Sequence, residues 1–488
     1  MDTANQTFYW FDYETFGKDT KRDRPAQFGG LRTDSDLNPI GQEDLLYCQV
    51  ADDYLPDPEA SLITGLTPLS CMDEGECEAV FAEKINEQLS KPGTISVGYN
   101  NLRFDDNVTR FLFWRNLIDP YAREWGEGRR RFDLYYFVKV VFAFKPSTLK
   151  WPKNDEGKVS LRLELLTKEN NLVHDHAHDA LSDAKATLAL AKLIKTKQPG
   201  LWNYALKMTA KDELRDLISQ QTPLLYVNPY GNPDNRFFSL IYPLMPNPAN
   251  SGEWFFWNLN ADPNELPLIQ SKDLKERLFV SREDQERGIV PLPLLKIRLN
   301  QLPFFVKAGP FIKFPKIQEL LNITPEIFVQ RAATLRSMDL GFVENLWAEV
   351  NDNSNQNFSQ DLEIETALFG RDFLSRGDRE KLNKLRKTDP EELQELIETT
   401  DFEDEDLNDL VFRYRARNYP ETLWDSDESN KWYNYRLEHL IDGKDGSRTF
   451  KQFFEKLSEL EKLHPDKEEI LSELREYAEN LQDGLPNE

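Results

Sequence analysis

Three kinds of hydrophobic pattern follow one another along the chain, and the changes between them limit the architectures open to it. Through residue 200 short apolar runs alternate with helical periodicity. FYWF (Phe8–Phe11), LLYCQVA (Leu45–Ala51) and TISVGYN (Thr94–Asn100) read as strands. Glu76–Leu89 reads as a helix with Ala79, Phe81, Ile85 and Leu89 inward, and a second helix starts at Asp106–Trp114. Asp179–Thr196 is a third, with an aspartate at its N-cap, alanine and leucine through its body and lysines near its end. Such alternation predicts a mixed sheet flanked by helices. After KQPG (Lys197–Gly200) and a short helix over Lys211–Ser219, strand-like runs are cut by Asn-Pro and Pro-Tyr-Gly turns. GIVPLPLLKIRL and PFFVKA continue that pattern, so a small barrel or sandwich fits about 201–350. The polar run NDNSNQNFSQ (351–360) reads as a linker. From Asp361 the pattern is acidic and helical, with helices near 390–400, 431–441, 448–462 and 466–481.

With 488 residues the chain is long enough for two to four domains. No apolar run reaches the ~18–20 residues a membrane span needs, and MDTANQTFYWFDYET lacks the features of a secretory signal. Three cysteines (Cys48, Cys71, Cys77) argue for a reducing compartment, with the cytoplasm as the default. The net charge of -25 disfavours a polyanionic partner, but residues 351–488 hold 19 Lys and Arg against 36 Asp and Glu and so carry most of it. Binding depends on local patches rather than on the total. Gly288–Lys316 has no acidic residue and contains Lys296, Arg298, Lys307, Lys313 and Lys316; a basic patch and an ordinary solvated strand face are both open readings.

The chemistry is concentrated in FDYET, YNNLRFDD and HDALSD. Asp12 and Glu14 lie two apart at the end of an apolar strand, which puts both carboxylates on one face. A hard divalent cation relieves the repulsion between them, since magnesium prefers oxygen ligands. Asn101 and Asp105 follow a strand with the spacing N-x-x-x-D; the asparagine can hold the turn while Asp105 faces the sheet edge, although both types also favour plain caps and turns. His178 and Asp183 are spaced H-x-x-x-x-D at a helix start, so that imidazole and carboxylate can aim into one pocket. Surface exposure is the ordinary fate of a single histidine, and His174 and His176 read that way. HDHAH as a histidine zinc site is a rival that the oxygen-rich remainder of the set disfavours. Four acids and a histidine are what two-metal phosphodiester hydrolysis requires. On this reading Asp12, Glu14 and Asp183 bind a first magnesium ion, Asp12 bridges to a second that Asp105 supports directly or through water, and His178 is the general base. Manganese can substitute for magnesium.

These motifs, with DRPAQFGGLRTDSDLNPIG, LITGLTP, DPYAREW, WPKNDEG, LRLELLTKENN and FRYRARNYPETL, resemble the superfamily of 3′→5′ exonucleases with four acidic residues and a spaced histidine. Within it the chain is similar to the bacterial exodeoxyribonuclease I family, densely through the first 200 residues and sparsely beyond. The resemblance implies a ribonuclease-H-like α/β exonuclease domain (1–200), an SH3-like β-barrel domain (201–352) and an all-α C-terminal domain (358–488). It further implies a monomer that digests single-stranded DNA processively from a 3′ end to 5′-mononucleotides, in DNA repair and recombination.

Glu14 and Thr15 stand where substrate would meet the metal site. Leu66 in ITGLT suits a wedge against terminal bases, as in that superfamily, or core packing. Arg162 suits a phosphate, while Arg110, Lys139, Tyr121 and Trp125 can supply charge and stacking, worth ~1–3 kcal/mol per base and tolerant of any base. In the family the acidic tail of single-strand-binding protein docks on a basic pocket with an aromatic floor, for which Lys145, Tyr204, Lys307 and Lys313 are the candidates. The competing functions are a 3′→5′ exoribonuclease or proofreading exonuclease, and a non-catalytic DNA-binding adaptor, which the complete carboxylate set disfavours.

Overall fold

Strand β1 (Thr7–Thr15) carries the first two carboxylates near its C-terminal end and occupies the middle of a five-stranded sheet. The structure is a computed structural model that describes residues 6–174, 178–352, 363–422 and 426–485. Strands β2 (Pro25–Thr33), β3 (Pro39–Tyr47), β4 (Thr94–Gly98) and β5 (Arg130–Asp133) complete the sheet in the order β3-β2-β1-β4-β5. β1 runs antiparallel to β2 and parallel to β4, so the sheet is mixed. Tyr9, Phe11 and Tyr13 point to one face, where they pack with Phe28 against Phe81, Ile85, Val108 and Leu112 of the helices Glu78–Leu89 and Asp105–Arg115. Each such buried side chain contributes roughly 1.5–3 kcal/mol. The period of two then sends Asp12 and Glu14 to the opposite face, where the helix Ala180–Lys197 approaches.

The strand expected at Leu45–Ala51 lies instead at Pro39–Tyr47, as β3. It is an edge strand with mostly exposed residues, so no hydrophobic alternation marks it. β2 hides in PAQFGGLRT, whose proline and paired glycines resemble a turn in sequence.

The chain forms two compact units. The first contains residues 1–133, 171–190 and 359–488; the second contains 134–170 and 191–358. Within the first, C-terminal residues such as Leu382, Leu410, Val411 and Tyr414 share one core with Phe111 and Trp114. The C-terminal helices include Arg376–Arg386 and Leu407–Asn418, besides Leu393–Glu398, Ser426–Leu440, Phe450–Leu463 and Glu468–Asp483. The first two escape a hydrophobic reading because RGDREKLNKLR is mostly charged and RYRARN buries its arginines Arg415 and Arg417.

In the second unit β6 (Leu224–Val227), β7 (Phe238–Asn247), β8 (Asn250–Asn258), β9 (Leu294–Arg298) and β10 (Phe305–Lys307) form an antiparallel sheet in the order β10-β6-β7-β8-β9. Helices Pro325–Ser337 and Gly341–Asp352 follow, so this region is not all β, and Asn351 and Asp352 close a helix rather than opening a linker. The remainder of that linker lies outside the described residues. The run without acids is also less basic than it reads. Glu253 on β8 stands across from Arg298 and pairs with it at 2.6 Å and with Lys296 at 3.4 Å. Among the described residues no helix is long and apolar enough to cross a membrane.

Candidate nuclease site

Each candidate carboxylate sits where a strand or helix ends. On β1, Glu14 is buried and Asp12 half-buried, and a bulge between Glu14 and Thr15 breaks the ladder with β2 there. Asp105 opens its helix and accepts a hydrogen bond from the Tyr13 amide at 3.2 Å, which ties it to β1. Its neighbour Asp106 turns inward to Arg123 (2.7 Å) and Arg131 (2.9 Å). Burial alone would raise the Asp106 carboxyl, but Arg123 and Arg131 outweigh it and hold the group at about 2. Asn101 anchors the turn by accepting the Asp106 amide on its carbonyl at 2.8 Å.

Helix Ala180–Lys197 is pinned above the strand by two residues of β2 that the sequence did not single out. Gln27 accepts the Ala180 amide at 2.8 Å and donates to Asp179 at 3.2 Å, while Asp179 caps the Ser182 amide at 2.9 Å. Gly29 stands opposite Asp12, and a Cβ there would lie 2.1 Å from the Leu181 amide nitrogen. Only glycine admits so close an approach. The paired glycines were the available signal, legible once β2 is known to be a strand.

Asp183, in the first turn, accepts the His178 amide on Oδ2 at 3.2 Å. His178 is exposed and has a φ of 68°, a left-handed conformation unusual for a residue with a side chain. His174 departs from the surface position expected of it. Its side chain is 6% exposed, and Nε2 is hydrogen-bonded to Asp183 Oδ1. The partner carboxylate explains the burial, because a buried imidazole needs a hydrogen-bonding partner. His176 lies outside the described residues.

Glu14, His178 and Asp183 each offer one ligand atom, and these atoms lie within 4.8 Å of one another. Burial pushes the Glu14 carboxyl up to about 8, helped by the charges of Asp183 and Asp105. It pushes Asp105 up to about 7, with Asp106 adding to the effect. Asp12 is raised well above the carboxylate range by burial and then by Asp105, Asp183 and Glu14. Asp183 is raised by burial, against the opposing pull of His174. Hard oxygen donors that burial and mutual repulsion disfavour as anions fit a divalent cation.

The other candidate residues differ in their surroundings. Thr15 is buried and donates to the Gly17 carbonyl at 2.7 Å. Leu66 is half-buried and packs on the cluster of Phe16, Ala26, Val50, Tyr54 and Cys71. Arg110 pairs with Glu124 at 2.7 Å and lies over the Tyr121 ring, which meets Phe373 edge-on. Trp125 is 60% exposed. The remaining six belong to the second unit. Lys139 is buried and donates to the Pro229 carbonyl at 2.7 Å. Arg162 is exposed and pairs with Glu164. Tyr204 is half-buried and donates to the Phe305 carbonyl at 2.8 Å, whereas Lys145, Lys307 and Lys313 are exposed.

A strand-borne carboxylate pair facing an Asp-His helix start on a mixed sheet defines a metal-dependent nuclease, and residues 9–191 match the family model described as Exonuclease. Residues 209–352 match the Exonuclease I SH3-like domain, and residues 362–481 the Exonuclease I C-terminal domain. Exodeoxyribonuclease I of Haemophilus influenzae is 35% identical over 477 residues, covering 97% of this chain and 98% of that one. Among solved structures, the moderately thermophilic exonuclease I of Methylocaldum szegediense superposes with a TM-score of 0.88 at 38% identity, covering 98% of this chain and 99% of the other. Escherichia coli exonuclease I in complex with a dA16 oligonucleotide gives 0.87 at 34% identity, covering 98% and 100%. The zinc-bound form of the E. coli enzyme with single-stranded DNA gives 0.84 at 34% identity, with the same coverage. The chain therefore belongs to the exodeoxyribonuclease I family of hydrolases, with an exonuclease domain, an SH3-like domain and a helical C-terminal domain.

Proposed function

We propose that the protein digests single-stranded DNA from the 3′ end and releases 5′-mononucleotides, using two magnesium ions. The convergence of Glu14, His178 and Asp183, with Asp105 close enough to raise Glu14, and with Asp105, Asp183 and Glu14 close enough to raise Asp12, carries this reading. Asp12, Glu14 and Asp183 would hold one ion, and Asp12 with Asp105 the other. Bound there, the metals supply charge stabilisation at the scissile phosphate and a more acidic attacking water. His178, exposed beside Asp183, takes the proton from that water; the Asp183 contact to its backbone amide fixes the segment that carries it. Thr15 and Leu66 are proposed substrate contacts. Arg110, Tyr121, Trp125, Lys139 and Arg162 are the proposed contacts along the strand, of which Trp125 offers the most exposed stacking face.

The E. coli relative solved with a DNA strand supports the substrate. A relative described as single-strand-binding protein with exonuclease I in complex with an inhibitor, at 33% identity and a TM-score of 0.83 over 98% of this chain and 99% of its own, supports that partner. Lys145, Tyr204, Lys307 and Lys313 are its proposed docking residues. The resemblance also supports a cytoplasmic monomer in repair and recombination, with domains bounded at 1–200, 201–352 and 358–488.

The test is Asp183→Ala assayed on labelled DNA and RNA oligonucleotides of one sequence. Hydrolysis should fall by about 10³-fold, on the order of 4 kcal/mol of transition-state stabilisation, while DNA binding is largely retained. Unchanged hydrolysis would misplace the metal site, and faster digestion of RNA by the wild type would overturn the substrate.

A further inference from the structure

Two histidines flank Asp183, and the metal-site reading uses only one. His178 is exposed and contributes a ring nitrogen to the cluster with Glu14. His174 is enclosed, and among the described residues it is not part of that cluster; the atom it touches is a carboxylate oxygen, Asp183 Oδ1. Asp183 is thus held at both oxygens, by the His174 ring on one and by the His178 amide on the other.

A carboxylate has about four lone-pair sites, so these two bonds fix its rotation and still leave lone pairs for a cation. An aspartate without such bonds turns about its last side-chain torsion, which is soft. Groups that hydrogen-bond a metal ligand typically contribute 10–100-fold to metal affinity by orienting it. We infer that His174 is a positioning residue for the metal site: its Nε2–H holds the Asp183 carboxylate in the orientation that faces Glu14 and His178. It works through Asp183 and touches neither metal nor substrate.

This inference rests on Asp183 being a metal ligand. The experiment is manganese binding by the full chain without DNA, followed by electron paramagnetic resonance, for His174→Phe, His174→Ala, His174→Gln and Asp183→Asn. Phenylalanine keeps a ring in the space and removes the donor; glutamine places an N–H near the position of Nε2. Phe and Ala should weaken manganese binding by about 10–100-fold, and Gln should stay within about threefold of wild type. Wild-type affinity in both Phe and Ala overturns the inference, as does a Gln variant as weak as Phe. A nitrogen coupling to bound manganese that vanishes in His174→Gln also overturns it, by making His174 a direct ligand. If Asp183→Asn binds manganese like wild type, the metal-site reading itself fails, which separates the two claims. Thermal melting of each variant shows that the comparison is between folded proteins; if the Phe protein does not fold, Ala against Gln decides.

Discussion

Two groups of buried carboxylates lie within the same unit and are built in opposite ways. At the site, no arginine or lysine among the described residues is a main influence on Asp12, Glu14, Asp105 and Asp183; Asp183 has the His174 imidazole, and all four are raised above the usual carboxylate range, first by burial. Elsewhere in the unit, Asp53, Glu78 and Glu365 are buried too, yet all three are lowered: burial opposes this, and arginines outweigh it. Arg417 reaches Asp53 and Glu365 at 2.7 Å each, Arg115 meets Glu78 at 2.5 Å, and Arg24 stands 3.5 Å from Asp53. One group brings its own cations and joins two domains. The other lacks them and is suited to taking cations from solution. Acids of one kind thus serve structure or chemistry according to whether the fold supplies the counter-charge.

Breaking the paired group should give the largest loss of stability. Arg417→Met leaves Asp53 and Glu365 buried without their main partner, and removing one member of a buried ion pair costs about 3–5 kcal/mol. Chemical denaturation should register that loss. Asp12→Asn, by contrast, replaces a carboxyl that burial and its neighbours already disfavour as an anion, and should leave the chelated protein no less stable than wild type. Equal destabilisation by the two substitutions would erase the distinction.

The next effect concerns how closely the unpaired group is assembled. At Gly29 an added methyl would meet Leu181 N at 2.1 Å and the Ala180 carbonyl carbon at 2.3 Å, both backbone atoms of the helix that carries Asp183. Gly29→Ala should cost roughly 1–3 kcal/mol as overpacking. Because a misplacement near 1 Å can lower a rate by about 10²-fold, hydrolysis should drop by that order. A variant with the stability loss but full activity would show that Asp183 tolerates displacement.

The contrast also explains what could be read from the sequence. The motifs of the candidate site were legible because their residue types fall at element ends: Asp12 and Glu14 by strand period, Asp183 by its place in a capped helix. Strands and helices with one apolar face were legible for the same kind of reason. Whatever depends on a distant partner was not. Strand β2 became a strand only through pairing with β1, and Arg415 and Arg417 look like surface charge until Glu428, Asp53 and Glu365 are brought to them. Lys296 and Arg298 look like a free basic patch until Glu253 pairs with them across the sheet. His174 looks like a surface imidazole until Asp183 meets it. Periodicity reports which way a side chain faces, and says nothing about which charge arrives from elsewhere.

The smallest expected effect is a change in the sign of the pH dependence. In chelated protein, Glu14 titrates near 8 and Asp105 near 7, against values near 4 when unfolded. Between these limits the folded state holds protons that the unfolded chain has released, so stability is greatest below about pH 4–5 as far as these groups are concerned and falls as pH rises toward 8. The paired acids act the other way. Glu363, a further acid of this kind that pairs with Arg413 at 2.7 Å, is held at about 2, where burial is outweighed by His439, Arg413 and Lys444; its stabilisation is complete above the unfolded value near 4.5 and is lost as pH falls toward 2. The chelated protein should therefore melt highest near pH 4–5 and lower on both sides. Magnesium favours the ionised carboxylates, so it should raise the melting temperature more at pH 8 than at pH 5, and Asp12→Asn should flatten the alkaline limb. A chelated protein whose melting temperature stays level or climbs between pH 5 and 8 would mean that the four site carboxyls already possess counter-charges within the fold.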